Sequence, residues 1–312
     1  MNRSNIEFLL KALRKNKSSG ASEFIEDALE IVKFQLDLLE DRNLDITKEI
    51  HSLFKEIIDS RPTMAPLINF AGFILHDLTI INKTALEKKI EQFFYKEIEK
   101  EKALEYKFRQ FLKEREKKLK KIMLISYSST VLNVLKKNKD FELEIFVLES
   151  RPLFEGRTTA KLLSKHFKTN LIIDAAMGKF IEEVDLVFVG IDSILRDGAI
   201  INKIGTYPLV ALAKLNNIDV YAIGDSYKYN LRSHYGHEIL IEKKLSSEVF
   251  DIEKDAKIDV LNYYFDIIPS EYISGIISDL GIMSIPEFLE RVKNLLPIKW
   301  FRFFLNEKES SI

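Results

Sequence analysis

The sequence predicts an α/β protein in which an N-terminal helical domain, residues 1–119, is followed by a mostly parallel sheet domain, residues 120–312. Two observations carry this. From about residue 4 to residue 115 apolar side chains recur at helical spacing, whereas beyond Lys121 short apolar runs alternate with helical segments. Runs that are short, almost continuously apolar and separated by helices are buried on both faces, which is the condition of a parallel sheet covered by helices.

Ile6, Leu9, Leu10 and Leu13 mark a first helix, and Phe24, Ala28, Ile31, Phe34 and Leu38 a second after a break over residues 17–20. Ser22, Glu23 and Glu26 place acidic groups near the positive end of that second helix. A third helix is expected over residues 45–58. Pro62 disfavours helical geometry at Arg61, so residues 60–63 read as a turn, followed by an apolar, buried helix over 64–75. Residues 82–119 are dense in Lys and Glu, with Leu86, Ile90, Phe93, Phe94, Ile98, Leu104, Phe108 and Leu112 spaced through them. That is the pattern of one or two amphipathic helices packed on one side and wet on the other. Strands are then expected at 122–125, 143–148, 170–173, 186–189 and 219–223, with helices at 130–137, 158–165, 175–180 and 207–215. In the tail, Trp300, Phe301, Phe303 and Phe304 are expected to pack on the parent domain.

Composition removes several classes of function. With 47 Lys plus Arg against 48 Asp plus Glu, the formal net charge is -1, so the chain lacks the basic excess of a protein built to neutralise nucleic-acid phosphates. The absence of cysteine excludes disulfides, thiolate catalysis and Cys-based metal sites, and it fits a cytoplasmic location. No stretch has the length and apolarity of a membrane span, and the N-terminus does not read as a signal peptide. His234 and His237 have a spacing suited to joint metal binding on a helix, but Gly236 between them argues against it, so no metal is expected. Neither a phosphate-binding loop ending in Lys-Ser or Lys-Thr nor a dinucleotide fingerprint is present, and no cofactor is expected.

In a parallel α/β sheet, ligands settle outside the C-terminal strand ends, where helix N-termini converge. Polar residues follow every expected strand here: Ser126, Tyr127, Ser128 and Ser129, then Glu149, Ser150 and Arg151, then Asp174, then Gly190 and Asp192, then Asp225 and Ser226. Arg151 and Arg157 flank the loop RPLFEGR, whose planar guanidinium donors suit phosphate oxygens, while Gly156 permits close backbone approach. Ser126 to Thr130 offer hydroxyl and N–H donors at a helix start. In DSILRDGAIINKIGTY, Asp192 is placed to exchange a proton and Lys203 to balance negative charge; Gly205 suits the turn, Thr206 the helix cap and Pro208 the first helical turn.

The stretches SRPTMAPL, ISYSSTVLNVL, ESRPLFEGR, GIDSILRDGAIINKIGTYPLVALAKLNNIDVYAI and NYYFDIIPSEYISGII resemble the family that holds the alpha, beta and delta subunits of translation initiation factor 2B. The same family includes ribose-1,5-bisphosphate isomerase and 5-methylthioribose-1-phosphate isomerase. The resemblance implies a Rossmann-like sheet domain without the dinucleotide motif, and pairing into homodimers or larger homo-oligomers. It implies a phosphorylated sugar or nucleotide as ligand, held by Arg61, Arg151, Gly156, Asn202 and Lys203, to which the loop positions of Tyr127 and Arg157 add two further candidate contacts. The isomerases turn an aldose 1-phosphate into a ketose phosphate with a cysteine and an aspartate. Asp192 stands at the aspartate position, but Ser126 stands at that of the cysteine, and serine is a poor proton donor without a neighbouring base. Tyr127 after it looks more like the initiation-factor subunits. Sugar-phosphate binding is therefore the leading expectation, with aldose–ketose isomerisation and a regulatory role beside translation-initiation partners as alternatives.

Overall fold

The computed structural model describes residues 3–15, 21–40, 46–60, 64–76, 82–251 and 257–301. The chain divides into two compact units: residues 1–100, 227–239 and 292–312 form one, and residues 101–226 and 240–291 the other.

The first unit is helical. It comprises α1 (Arg3–Lys15), α2 (Ala21–Glu40), α3 (Ile46–Ser60), α4 (Ala65–Leu75) and the first half of α5 (Lys83–Arg115), with the short α10 (Leu231–His234) added from later in the chain. α4 is apolar all round and buried on nearly every residue, as expected of a helix at the centre of a core. Pro66 lies in its first turn, where a missing N–H costs nothing. Phe70 of α4 packs its ring 5.5 Å from Phe54 and 4.9 Å from Phe93, centroid to centroid. Asn69 donates to the carbonyls of Tyr227 (2.7 Å) and Tyr229 (2.8 Å), drawing the returning chain onto α4. Of the tail aromatics, Phe301 is fully buried and a Cβ on Gly72 would meet the Trp300 ring at 3.2 Å, so both pack within this unit; Phe303 and Phe304 lie outside the described residues.

The second unit is the sheet domain. Its seven strands run in the order β10-β9-β7-β4-β1-β2-β3. They are β1 (Lys121–Ile125), β2 (Glu144–Leu148), β3 (Lys168–Ile172), β4 (Leu186–Gly190), β7 (Asp219–Ile223), β9 (Gly275–Ser278) and β10 (Gly281–Met283). Every neighbouring pair is parallel except β9–β10. All five strands expected from the sequence are present. The helices α6 (Ser129–Lys137), α7 (Glu155–Leu163), α8 (Met177–Phe180) and α9 (Thr206–Leu215) connect them, and α11 (Ile285–Leu295) follows β10. Phe108, Phe111 and Leu112 from the second half of α5 join Leu124, Val147 and Phe188 in one core.

Two details depart from the sequence reading. Phe94 and Ile98 of α5 are exposed, because Phe93 takes the inward direction and its neighbour points about 100° away on a 3.6-residue helix; Phe111 is buried instead of being passed over. The block after Asp192, to which the sequence assigns no strand, is a hairpin, β5 (Ser193–Ile194) with β6 (Ile200–Lys203), which joins β8 (Phe265–Ile268) in a second, antiparallel sheet. Among the described residues no helix is long and apolar enough to cross a membrane.

Candidate functional site

The strand order places the site. From β1 the chain moves outward to β2 and β3, then returns to add β4 on the other side of β1, so the order reverses between β1 and β4. The loops leaving those two strands separate there, and the crevice they leave is where such sheets take ligands. Ser126 to Ser129 follow β1, and Gly190 ends β4 with Ile191 and Asp192 after it. A Cβ on Gly190 would sit 2.9 Å from Ser128 Cβ and 3.6 Å from Asn202 Oδ1. The two loops and β6 therefore converge on this glycine, and only a missing side chain lets them do so. The amide of Asp192 donates to the Ile201 carbonyl at 2.9 Å, which fixes the half-buried Asp192 beside Asn202.

The rim is built under backbone strain. Ser126 and Ser150, the residues leaving β1 and β2, both have left-handed φ, 68° and 64°, which is uncommon for non-glycine residues. They are locked together: the Ser126 amide donates to Ser150 Oγ at 2.7 Å, and Ser150 Oγ donates on to the Leu148 carbonyl at 3.0 Å. Thr159 of α7 donates to the Ser126 carbonyl at 2.8 Å. Asp174, after β3, accepts from the amides of Ser150 (2.8 Å) and Arg151 (2.7 Å), so its carboxylate anchors the loop. Strain of this sort, held by surrounding bonds, clusters at ligand sites. Tyr127 is partly buried and packs on the core of the sheet domain.

The cations differ in what they already hold. Arg157 donates to Glu149 at 2.8 Å in an exposed pair, and its guanidinium lies 3.9 Å from the Phe154 ring centroid. Lys203 is buried and lies 2.6 Å from Glu155. Arg151 is exposed, donates one bond to the Val249 carbonyl at 3.2 Å, and has no carboxylate partner among the described residues. Arg61 lies outside the described residues. Gly156 belongs to the first turn of α7, and a Cβ there would fall 1.8 Å from the Leu148 carbonyl oxygen. The close approach it permits is that of α7 to the end of β2.

Two helix N-termini face this end of the sheet. α6 is capped by Ser128, whose Oγ accepts from the Val131 amide at 3.3 Å, and the amides of Ser129 and Thr130 meet no acceptor among the described residues. α9 is not capped by Thr206, as the sequence suggested. The Thr206 hydroxyl donates to the Lys203 carbonyl at 2.6 Å and accepts from Asn202 at 3.1 Å, so it is spent on the turn. The cap is Asp266 of β8, which accepts from the amides of Gly205 (2.8 Å) and Tyr207 (2.9 Å). Burial pushes the Asp266 carboxyl above its ordinary value, against the amide donors of Gly205, Thr206 and Tyr207, which favour the charged form. Gly205 itself takes φ 95°, a turn that glycine makes without steric cost.

Glu155 and Asp266 were not singled out by the sequence. Glu155 is adjacent to Gly156 in a loop already marked by its arginines, so its proximity was legible. Asp266 reaches α9 only because β8 pairs with β6 in register, Asn202 opposite Asp266, and nothing local in the sequence announces that pairing.

A parallel sheet whose strand order reverses between β1 and β4, with hydroxyls and open amides on the loop after β1, places the chain among doubly wound α/β proteins. It belongs to the initiation factor 2 subunit family, whose profile matches residues 1–285. A ribose 1,5-bisphosphate isomerase of Archaeoglobus fulgidus is 29% identical over 286 residues, which is 88% of this chain and 90% of that protein. A ribose 1,5-bisphosphate isomerase of Methanocaldococcus jannaschii is 31% identical over 232 residues, 73% of this chain and 74% of that one. Among solved structures, translation initiation factor eIF-2B of Pyrococcus horikoshii OT3 superposes with a TM-score of 0.77 at 26% identity, covering 93% of this chain and 100% of that chain.

Proposed function

We propose that this chain binds a phosphorylated sugar at the reversal point between β1 and β4. The observation that carries the reading is the contrast among the cations: Arg157 and Lys203 are paired with carboxylates, and Arg151 is not. A guanidinium without a carboxylate partner among the described residues, together with the open amides of α6, offers charge-assisted bonds to a phosphate. Asn202 and Asp192, held side by side by the β5–β6 hairpin, face the sugar hydroxyls. Nucleoside monophosphates share this chemistry and form the comparison set. Calorimetry with aldose phosphates and nucleoside monophosphates tests the reading: the wild type binds at least one, and Arg151→Gln weakens that binding about 30-fold, the worth of a charge-assisted pair. Absence of binding to every phosphate ester rejects it.

The relatives named as isomerases favour a second reading, in which bound aldose 1-phosphate is converted to the ketose. Asp192 is the proton carrier in that reaction. Ser126 only positions the substrate, because its amide and carbonyl are spent on Ser150 and Thr159 and no base adjoins its hydroxyl in sequence. Ketose formation that disappears in Asp192→Asn supports turnover; equal rates in the two proteins reject it.

The chain acts in the cytoplasm as a homodimer or larger homo-oligomer, without direct contact to nucleic acid. Supporting the pairing, Leu240, Leu245, Phe250, Ile258, Leu261 and Ile267 are exposed apolar side chains concentrated between β7 and β9, a density that marks association surfaces. Light scattering of the purified chain measures the state directly, and a monomer at all concentrations rejects the assignment.

A further inference from the structure

The corner of the site around Lys203 carries more acid than its sequence suggested. Lys203 Nζ contacts Glu155 Oε1 at 2.6 Å, with the lysine side chain 5% and the glutamate side chain 19% exposed. Glu155 Oε2 is buried and has no hydrogen-bond partner. On its other side Lys203 lies 5.1 Å from the Tyr264 ring centroid, and the Tyr264 hydroxyl donates to the Glu248 carboxylate. Lys244 also approaches that ring, at 5.5 Å, but its own charge is taken by Glu242. The lysine expected to hold phosphate is thus already paired with a carboxylate and flanked by an aromatic ring.

We propose that Glu155 makes this a site for monophosphate esters and excludes bisphosphates. The proposal rests on the sugar-phosphate reading above. One phosphate is held at the Arg151 end, where a positive charge is uncompensated. A second phosphate at the Lys203 end meets a pair of no net charge, with a half-buried carboxylate in direct contact with the cation it seeks. Low polarity around the pair strengthens that repulsion. A neutral hydroxyl fares differently. It can donate to Glu155, whose second oxygen lacks a donor and reaches one by rotation of the carboxylate, whereas a phosphate dianion brings acceptors alone. Glu155 therefore determines specificity by charge and by its unmet demand for a donor.

Calorimetry with ribose 1-phosphate and ribose 1,5-bisphosphate, on the wild type, Glu155→Gln and Glu155→Asp, tests this. The wild type is expected to bind the monophosphate at least tenfold more tightly. Glu155→Gln, nearly isosteric and neutral, is expected to erase that preference by tightening bisphosphate binding about tenfold, while Glu155→Asp retains the preference. Equal affinities, or a bisphosphate preference in the wild type, overturn the proposal. So does a Glu155→Gln protein that loses both ligands alike, since that is the signature of a structural ion pair. If the wild type binds neither sugar phosphate nor any other phosphate ester, the site reading itself falls and this proposal with it.

Discussion

The N-termini of α6 and α9 lie at the same end of one sheet, carry the same partial positive charge and are finished in opposite ways. α6 is closed by the neutral hydroxyl of Ser128 and leaves the amides of Ser129 and Thr130 without acceptors among the described residues. α9 is closed by the Asp266 carboxylate, which takes the amides of Gly205 and Tyr207. A helix N-terminus attracts one anion. At α9 the protein supplies that anion itself, which fixes the NKIGT turn and holds Asn202 and Lys203 in place. At α6 no carboxylate takes that place among the described residues, and on the proposed reading it is left to a ligand. One terminus is then part of the scaffold and the other part of the proposed binding site, although the sequence marks both with the same hydroxyl residues.

Giving α6 the finish of α9 breaks the distinction most directly. Aspartate caps a helix as well as serine does, so Ser128→Asp is expected to leave stability within about 0.5 kcal/mol of the wild type. Its carboxylate would occupy the open amides and repel phosphate, and affinity for a sugar phosphate is expected to fall about 100-fold, roughly 2.7 kcal/mol. Calorimetry and a denaturant melt on the same protein measure both; an unchanged affinity places the phosphate away from α6. The reverse change, emptying α9, acts on the fold. Asp266→Ala strands the amides of Gly205 and Tyr207, and a loss of about 2 kcal/mol in unfolding free energy is expected, an amount consistent with unmade bonds that water partly replaces. A melt unchanged by Asp266→Ala would mean that the NKIGT turn stands without its cap.

Much of the fold was legible because it is written locally. The five strands expected from the sequence, β1, β2, β3, β4 and β7, are short runs rich in apolar residues, and each is legible within a few residues of its bounds. The strands β5, β6, β8, β9 and β10 were not read as strands. They are two to four residues long and mix polar with apolar side chains, as Ile200 to Lys203 do, so no period is long enough to detect. The site divides along the same line. That Ser126, Arg151 and Asp192 lie just beyond the C-terminal ends of β1, β2 and β4 follows from the strand pattern. Which cation is free does not, because that depends on Glu149 reaching Arg157 and Glu155 reaching Lys203, contacts fixed by the packing of α7 against β2 that Gly156 allows. Asp266 lies sixty-one residues from Gly205 in the chain and meets it only through a register that tertiary pairing decides.

The same carboxylate yields the smallest of the expected effects, and its sign is diagnostic. Burial raises the Asp266 carboxyl above the ordinary 3.8, so the folded chain holds this proton more tightly than the unfolded chain. The stability it contributes is complete below 3.8 and is lost as pH rises through the raised value. Asp140 has the opposite sign: Arg109 holds its carboxyl down, and its contribution is lost as pH falls. Asp266→Asn keeps an oxygen acceptor for the α9 amides but removes the titration. The difference between wild type and Asp266→Asn isolates this one group from the other carboxyls. Wild-type stability relative to the variant is expected to decline as pH rises from 3.8 through the raised value and to level off above it, the amplitude being small because Asp266 is partly exposed and water screens it. A difference that grows with pH would mean that the amide donors outweigh burial, and that the anion at α9 is held more strongly as a charge than its surroundings suggest.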